Sequence, residues 1–247
     1  MIDLSGKAGL VTGAGSGIGR ATAIALAGNG AAVAVLDIDE GTAAETAEMI
    51  EKAGGQAVAS TVDIADERSV RAAVERTVTA YGRLDYAVNN AGMSSRRPLD
   101  QMALDEFERV VRVNLSGTFL CMKYELPLLK GGGAIVNVAS NGGLAAIPNA
   151  PAYVAAKHGI VGLTKVAAVD YAADGIRVNA VCPGPTLTPG FERWAAGTDI
   201  IERQAAATPL GRLAAPEEVA AAAVWLCSDA ATYVTGIAMS IDGGRRA

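Results

Sequence analysis

Thr12-Gly13-Ala14-Gly15-Ser16-Gly17-Ile18-Gly19 is the stretch from which the rest of the chain can be read. It joins an apolar run, residues 7–13, to a helix-like run, residues 17–29. Gly13, Gly17 and Gly19 permit a tight turn and leave backbone N–H groups bare, and the helix N-terminus behind them adds positive potential. Such a turn suits a pyrophosphate. The spacing differs from the common GxGxxG fingerprint, and a glycine-rich turn can be merely structural. Its place between a strand and a helix is what gives it weight.

The same alternation continues outward from this turn. Strands are expected at 7–13, 31–37, 56–62, 84–89, 134–139, 176–181 and 237–241. Helices are expected at 17–29, 41–53, 66–81, 104–130 with a bend, 151–173 and 216–228. Strands that alternate with helices in this way predict an α/β fold, a doubly wound parallel sheet with helices on both faces. Ligands in such sheets bind at the carboxyl ends of the strands, near the topological switch point.

Composition narrows the function. The 247 residues are 51% apolar and 19% charged, which describes a globular chain able to bury a large core. The formal net charge is −5 and the basic residues are scattered, which argues against nucleic acid as a partner. No apolar run reaches membrane-spanning length and no signal peptide is evident, so a cytoplasmic location is expected. Cys121, Cys182 and Cys227 stand alone in apolar surroundings and form no CxxC metal pattern; buried free thiols and no metal are expected.

Asp37 ends the second expected strand, where a carboxylate can accept both hydroxyls of an adenosine ribose and repel a 2′-phosphate. Ile38 and Ser16 add no positive charge, so NAD is expected over NADP. Asp63, followed by Ile64, can touch an adenine or cap the helix that starts near Asp66. Asn89-Asn90-Ala91-Gly92 ends the fourth strand with small residues over which a dinucleotide can pass. Asn114 is a poor mid-helix residue. It marks either a kink that frees a carbonyl for water or a buried amide bonded to the Asn90 region.

Ser140-Asn141-Gly142-Gly143 follows the fifth strand, and Tyr153-Val154-Ala155-Ala156-Lys157 opens the next helix. Pro151 is tolerated in its first turn and Asn149 can cap it. Tyr153 and Lys157, four residues apart, share one helix face. An ammonium beside a phenol favours the phenolate, so the Tyr153 pKa is expected to fall. Such a tyrosine can exchange a proton with a substrate oxygen that Ser140 holds. Tyr and Lys at this spacing are weak evidence taken alone.

The set formed by residues 12–19, Asp37, Asn89 to Gly92, Asn114, Ser140, Tyr153-x-x-x-Lys157 and Pro183-Gly184 resembles the short-chain dehydrogenase/reductase family in order and spacing over essentially the whole chain. The resemblance implies a Rossmann-like sheet of about seven strands in a single domain, assembled as a homotetramer. It implies Tyr153 as general acid/base, Ser140 orienting the substrate oxygen, Lys157 binding the nicotinamide ribose, and Asn114 holding a relay water. It places Pro183, Gly184, Thr186 and Thr188 along the nicotinamide. Thr186 and Asn141 stand where the family often has other residues.

Residues 185–208 have poor periodicity and a Pro189-Gly190 break, and read as a mobile substrate lid carrying Phe191 and Trp194. With Met93, Asn141, Leu144 and Ile147 they predict a mostly apolar pocket for a secondary alcohol or ketone, apolar or cyclic. Arg96 and Arg97 can bind an acidic group, though such pairs are more often solvated. His158 adjoins Lys157 and points away from the Tyr153 face. Two other readings compete: a 3-oxoacyl-[acyl-carrier-protein] reductase, against which Asp37 speaks, and a catalytically silent NAD-binding regulator, against which the intact Asn114, Ser140, Tyr153 and Lys157 speak.

Overall fold

The computed structural model describes residues 2–129 and 131–247. The chain runs β1 (Ala8–Thr12), α1 (Gly17–Gly28), β2 (Ala32–Asp37), α2 (Glu40–Lys52), β3 (Gln56–Thr61), α3 (Glu67–Tyr81) and β4 (Tyr86–Asn89). It continues through α4 (Leu104–Val111), α5 (Gly117–Glu125), β5 (Gly133–Val138), α6 (Pro151–Asp170), β6 (Ile176–Pro183), α7 (Pro189–Ala195), α8 (Ile200–Ala206), α9 (Pro216–Cys227) and β7 (Ala238–Ile241). The strands form one parallel sheet in the order β3-β2-β1-β4-β5-β6-β7.

The apolar strand runs explain why both faces are covered. Side chains alternate across a strand, so an unbroken apolar run must bury two faces. Val11 packs in one core with Leu26 of α1, Ile50 of α2 and Val224 of α9. Its neighbour Leu10 packs in the other, with Val74 of α3, Met122 of α5 and Ala168 of α6. Strand order reverses direction between β1 and β4, and the crevice over their carboxyl ends is the binding position such sheets offer.

Several expected boundaries move for identifiable reasons. Asp39 accepts from the Thr42 N–H at 2.9 Å, so α2 starts one residue earlier. Asp66 caps α3 through the Arg68 N–H at 3.0 Å, while Asp63 turns onto the Ala65 N–H at 2.9 Å and caps no helix. Asn149 does not cap α6: it sits in the left-handed region at φ 58, and Ala150 occupies the cap position without a side-chain bond. The stretch expected as one bent helix over 104–130 divides into α4, a π-helical turn at Arg112–Ser116, α5 and a 3₁₀ turn at Leu126–Leu128; Lys130 lies outside the described residues. The expected lid folds into α7 and α8, the first capped by Thr188, whose Oγ1 accepts from the Phe191 N–H at 3.2 Å.

Behind the crevice lies a buried polar cluster. Asn89 Nδ2 donates to Asn137 Oδ1 and to Glu125 Oε2, both at 3.0 Å, and Asn137 Nδ2 donates to Thr164 Oγ1 at 2.9 Å. It ties β4, β5, α5 and α6 together. Glu125 is fully buried with no cation paired to it among the described residues, and burial pushes its carboxyl up to about 8. Glu125 Oε1 and Asn89 Oδ1 are both left without a donor. A protonated Glu125 carries no charge to bury and gains an O–H donor.

The sign of the pH effect follows. With a folded-state pKa raised from 4.5 to about 8, the neutral carboxyl's contribution is complete below pH about 4.5 and is lost as pH rises through about 8. Glu125→Gln keeps the shape and stays neutral. Its melting temperature is expected to match the wild type near pH 5 and to exceed it increasingly up to pH 9, measured by thermal melts across that range.

Candidate active site

Four hydrogen bonds fasten the crevice. The Thr12 hydroxyl accepts from the Asn90 and Ala91 N–H groups at 3.1 Å each. Asn90 Nδ2 donates to the carbonyls of Thr12 and Gly13 at 3.0 Å each. The glycine turn is thereby held at the switch point. Asp37 faces it: Oδ2 accepts from the Gly15 N–H at 2.8 Å and Oδ1 from the Asp39 N–H at 3.1 Å. Ile38 beside it is exposed, and the nearest arginine of α1, Arg20, is paired with Glu45 at 2.6 Å. Ser16 precedes α1 without capping it, and Ile18 packs partly against the core. Ile64 is buried in the second core, which leaves only its backbone for a cleft contact. Gly17, at φ 53, has Thr188 Cγ2 3.1 Å from the place a Cβ would take. Thr188, the cap of α7, therefore lies against the glycine turn, and any side chain at 17 would be strained and crowded.

The π-helical turn at Arg112–Ser116 swings Asn114 inward, where it is fully buried. Its Oδ1 accepts from the Met93 N–H at 3.2 Å, and its Nδ2 donates to the carbonyls of Met93 and Val110 at 2.9 Å each. Of the two readings of Asn114, the buried amide describes its side chain; it binds two residues beyond Ala91. Its carbonyl accepts from the Thr118 hydroxyl at 2.7 Å. Gly92 completes the arrangement: a Cβ there would stand 2.6 Å from Asn114 Oδ1 and 3.7 Å from Lys157 Nζ. Gly92, Asn114 and Lys157 therefore meet at one point.

Ser140 is nearly buried at the end of β5. Its Oγ accepts from the Gly142 N–H at 3.0 Å and donates to Asn141 Oδ1 at 3.2 Å. Lys157 is 4% exposed, and its Nζ donates to the Val138 carbonyl at 2.7 Å. It has no other hydrogen bond among the described residues, so two of three N–H donors remain free for a bound hydroxyl. Burial with no carboxylate partner depresses the ammonium to about 8. Tyr153 lies with its ring centroid 5.7 Å from Lys157 Nζ. Here the expected fall in the phenol's pKa is corrected. Burial raises it, opposed by a hydrogen bond with Ser140 and by the charge of Arg96 rather than of Lys157. His158, exposed, bonds the Val154 carbonyl of its own helix at 2.9 Å.

The carboxyl end of β6 closes the cleft. Pro183 is buried, and the Gly184 N–H donates to the Ile241 carbonyl at 2.9 Å. Thr186 is buried, its hydroxyl donating to the Gly184 carbonyl at 3.1 Å. On α7, Phe191 and Trp194 meet edge to face at 5.4 Å. Ile147 lies against Gly142, and Leu144 is partly exposed. The structure separates the two arginines. Arg97 pairs with Glu106 at 3.0 Å, whereas Arg96 lies 4.9 Å from the Trp194 ring centroid. The sequence reading missed Glu125 and Asn137. Their signal was a lone carboxylate in an apolar helix and an amide inside an apolar strand. Among the described residues no group of three or more His, Cys, Asp or Glu side chains could hold a metal ion.

Known proteins fall into line with this geometry. A family profile described as enoyl-(acyl carrier protein) reductase matches residues 13–246. A 2,5-dichloro-2,5-cyclohexadiene-1,4-diol dehydrogenase of Sphingobium indicum is 47% identical over 99% of this chain and 98% of its own. A cyclohexanol dehydrogenase of Acinetobacter sp. strain SE19 is 43% identical over 96% of this chain and 94% of its own. A crystal structure of a candidate NAD(P)-dependent gluconate 5-dehydrogenase from Beutenbergia cavernae, with NADP bound at low occupancy, superposes with a TM-score of 0.93. It is 37% identical and covers 98% of each chain. The chain belongs to the short-chain dehydrogenase/reductase family, whose members bind a nicotinamide cofactor and act on CH–OH groups.

The buried lysine has a measurable cost. A folded-state pKa lowered from 10.5 to about 8 means that the penalty is complete below pH about 8 and fades as pH rises towards 10.5. Lys157→Met is expected to melt higher than the wild type at pH 7, with the advantage shrinking by pH 10. The same substitution is expected to weaken NADH binding, read by fluorescence titration.

Proposed function

We propose that this chain oxidises a secondary alcohol, or reduces the matching ketone, with NAD(H), and that its substrate carries a ring. The observation that carries the reading is the convergence of Tyr153, Lys157, Ser140 and Asn114 at one point in the switch-point crevice. Bound there, the nicotinamide would take the hydride from the alcohol carbon or return it to the ketone.

The chain's residues would do the rest. The glycine turn, Gly13 to Gly19, would face the pyrophosphate with bare N–H groups. Asp37 would accept the adenosine ribose hydroxyls once its Oδ2 exchanges the Gly15 bond. Ala91, Gly92, Pro183, Gly184, Thr186 and Thr188 would line the nicotinamide. Lys157 would give its two unused donors to the nicotinamide ribose. Ser140 would hold the substrate oxygen, and Tyr153 would pass the proton. With its pKa raised, Tyr153 holds its proton at neutral pH, which suits ketone reduction. Alcohol oxidation is accordingly expected to rise with pH.

Charge supports NAD over NADP: a carboxylate at Asp37, the apolar Ile38, and an Arg20 committed to Glu45. The same carboxylate speaks against an acyl-carrier-protein reductase that would use NADPH. We take the chain as one domain with a substrate lid over 185–208. We also propose a homotetramer, because Phe119 of α5 and Val166 and Val169 of α6 present an exposed apolar face. Buried free thiols favour a cytoplasmic location, and no described helix is long and apolar enough to cross a membrane.

Two measurements test the reading. Tyr153→Phe is expected to bind NADH as the wild type does and to lose at least about 10²-fold in turnover of cyclohexanol, the low end of what a general acid/base supplies. More than about a tenth of wild-type turnover would remove Tyr153 from the chemistry. NAD is expected to exceed NADP by at least about tenfold in kcat/KM, about 1.4 kcal/mol, with Asp37→Ala narrowing the gap chiefly by improving NADP.

A further inference from the structure

Six of the chain's arginines are tied to carboxylates, and Arg96 is not one of them. Arg20, Arg71, Arg83, Arg97, Arg203 and Arg212 each meet a carboxylate. Arg96 meets none among the described residues. Its single hydrogen bond there is a long one, from Nη1 to the Pro148 carbonyl at 3.4 Å. A guanidinium has five N–H donors in a rigid fork, so most of this one is unspent.

Its position is fixed from three sides. The loop after β4 that carries it is pinned by the Met93–Asn114 bonds. Pro148, on the approach to α6, lies at one edge. Trp194 of the lid lies against its face at 4.9 Å, held in turn by Phe191. Stacking occupies the face of a guanidinium and leaves its N–H edge open. Pro148 lies just ahead of α6, whose first turn carries Tyr153, and the Arg96 charge and the phenol are close enough to act on each other.

A cation that lies over an aromatic ring and has no carboxylate partner among the described residues is selective. It rewards a substrate that brings an anion and penalises a neutral one, which leaves the partly covered charge uncompensated. The planar fork matches a carboxylate in particular, through two parallel N–H···O bonds. We propose that Arg96 is the specificity-determining residue of this cleft, and that the substrate is a secondary alcohol bearing a carboxylate remote from its hydroxyl carbon. This rests on the alcohol dehydrogenase reading given above. Trp194 then serves as a backing plate that aims the guanidinium while the lid covers the ring.

The test compares 4-hydroxycyclohexanecarboxylate with 4-methylcyclohexanol as substrates of wild type, Arg96→Met and Arg96→Lys. In parallel, cyclohexanecarboxylate and cyclohexylmethanol are titrated calorimetrically into the NADH-loaded protein, which needs no turnover. The wild type is expected to prefer the acid by at least about tenfold in kcat/KM and in affinity, the scale of one charge-assisted pair. The preference should weaken with added salt. Arg96→Met is expected to lose at least about tenfold more with the acid than with the neutral alcohol, and Arg96→Lys to recover part of it. Equal use of both alcohols by the wild type, or an equal fall with both in Arg96→Met, would leave Arg96 a lid clasp and overturn the proposal. If cyclohexanecarboxylate binds through Arg96 while neither alcohol turns over, the carboxylate site stands and the dehydrogenase reading falls. If nothing binds and nothing turns over, both fall.

Discussion

The clamp between Thr12 and Asn90 is the constraint from which the site follows. The ladder that pairs β1 with β4 ends at Thr12 and Asn89, and it does not fix the loops that leave the two strands on either side of the switch point. Here a hydroxyl and an amide bridge β1 to the residues beyond β4 through four hydrogen bonds. Each contributes about 1 kcal/mol net, but together they set where the glycine turn points and where Gly92 passes. Gly92 then decides how closely Asn114 and Lys157 approach.

A second layer of polar contacts sits beneath the first. Asn89, the last residue of β4, reaches Asn137 and Glu125, while Asn90 beyond it reaches the glycine turn. One strand end thus supports the crevice above and the buried cluster below. Lys157 and Glu125 are opposite cases of a charge-bearing group kept from water without a counter-ion. Burial drives each towards its neutral form. The carboxyl accepts from one amide N–H, whereas the ammonium keeps two donors without a partner among the described residues.

What could be read in the sequence was what depends on period and on local backbone chemistry. The seven strands and the helices on both faces follow from unbroken apolar runs separated by helical ones; most of their boundaries moved by one to three residues, and the stretch 104–130 divided. The meeting of Ser140, Tyr153 and Lys157 was legible because one helix face and one strand end suffice to bring it about. The direction of the Tyr153 shift was not. It depends on how much water the fold removes and on Lys157 turning to the Val138 carbonyl, neither of which a four-residue spacing encodes. Asn149 was misread because a capping side chain and a left-handed turn are both typical of asparagine. Arg96 and Arg97 are adjacent and chemically identical in sequence; only a glutamate nine residues on from one, and a tryptophan nearly a hundred residues on from the other, tell them apart.

The strand order has a consequence for how such a chain comes into being. β2 and β3 add in turn to one side of β1, and β4, β5, β6 and β7 add in turn to the other. No strand has to be inserted between two that are already paired. A chain leaving the ribosome can therefore extend its sheet by docking each new strand on an open edge as that strand emerges. The glycine turn and Asp37 are complete within the first 40 residues. Ser140, Tyr153 and Lys157 follow only with β5 and α6, and α7 and α8 later still. The nascent protein has the parts of a nucleotide cradle long before it can do chemistry, and a nucleotide held at that stage would favour the half-built sheet over its unfolded form.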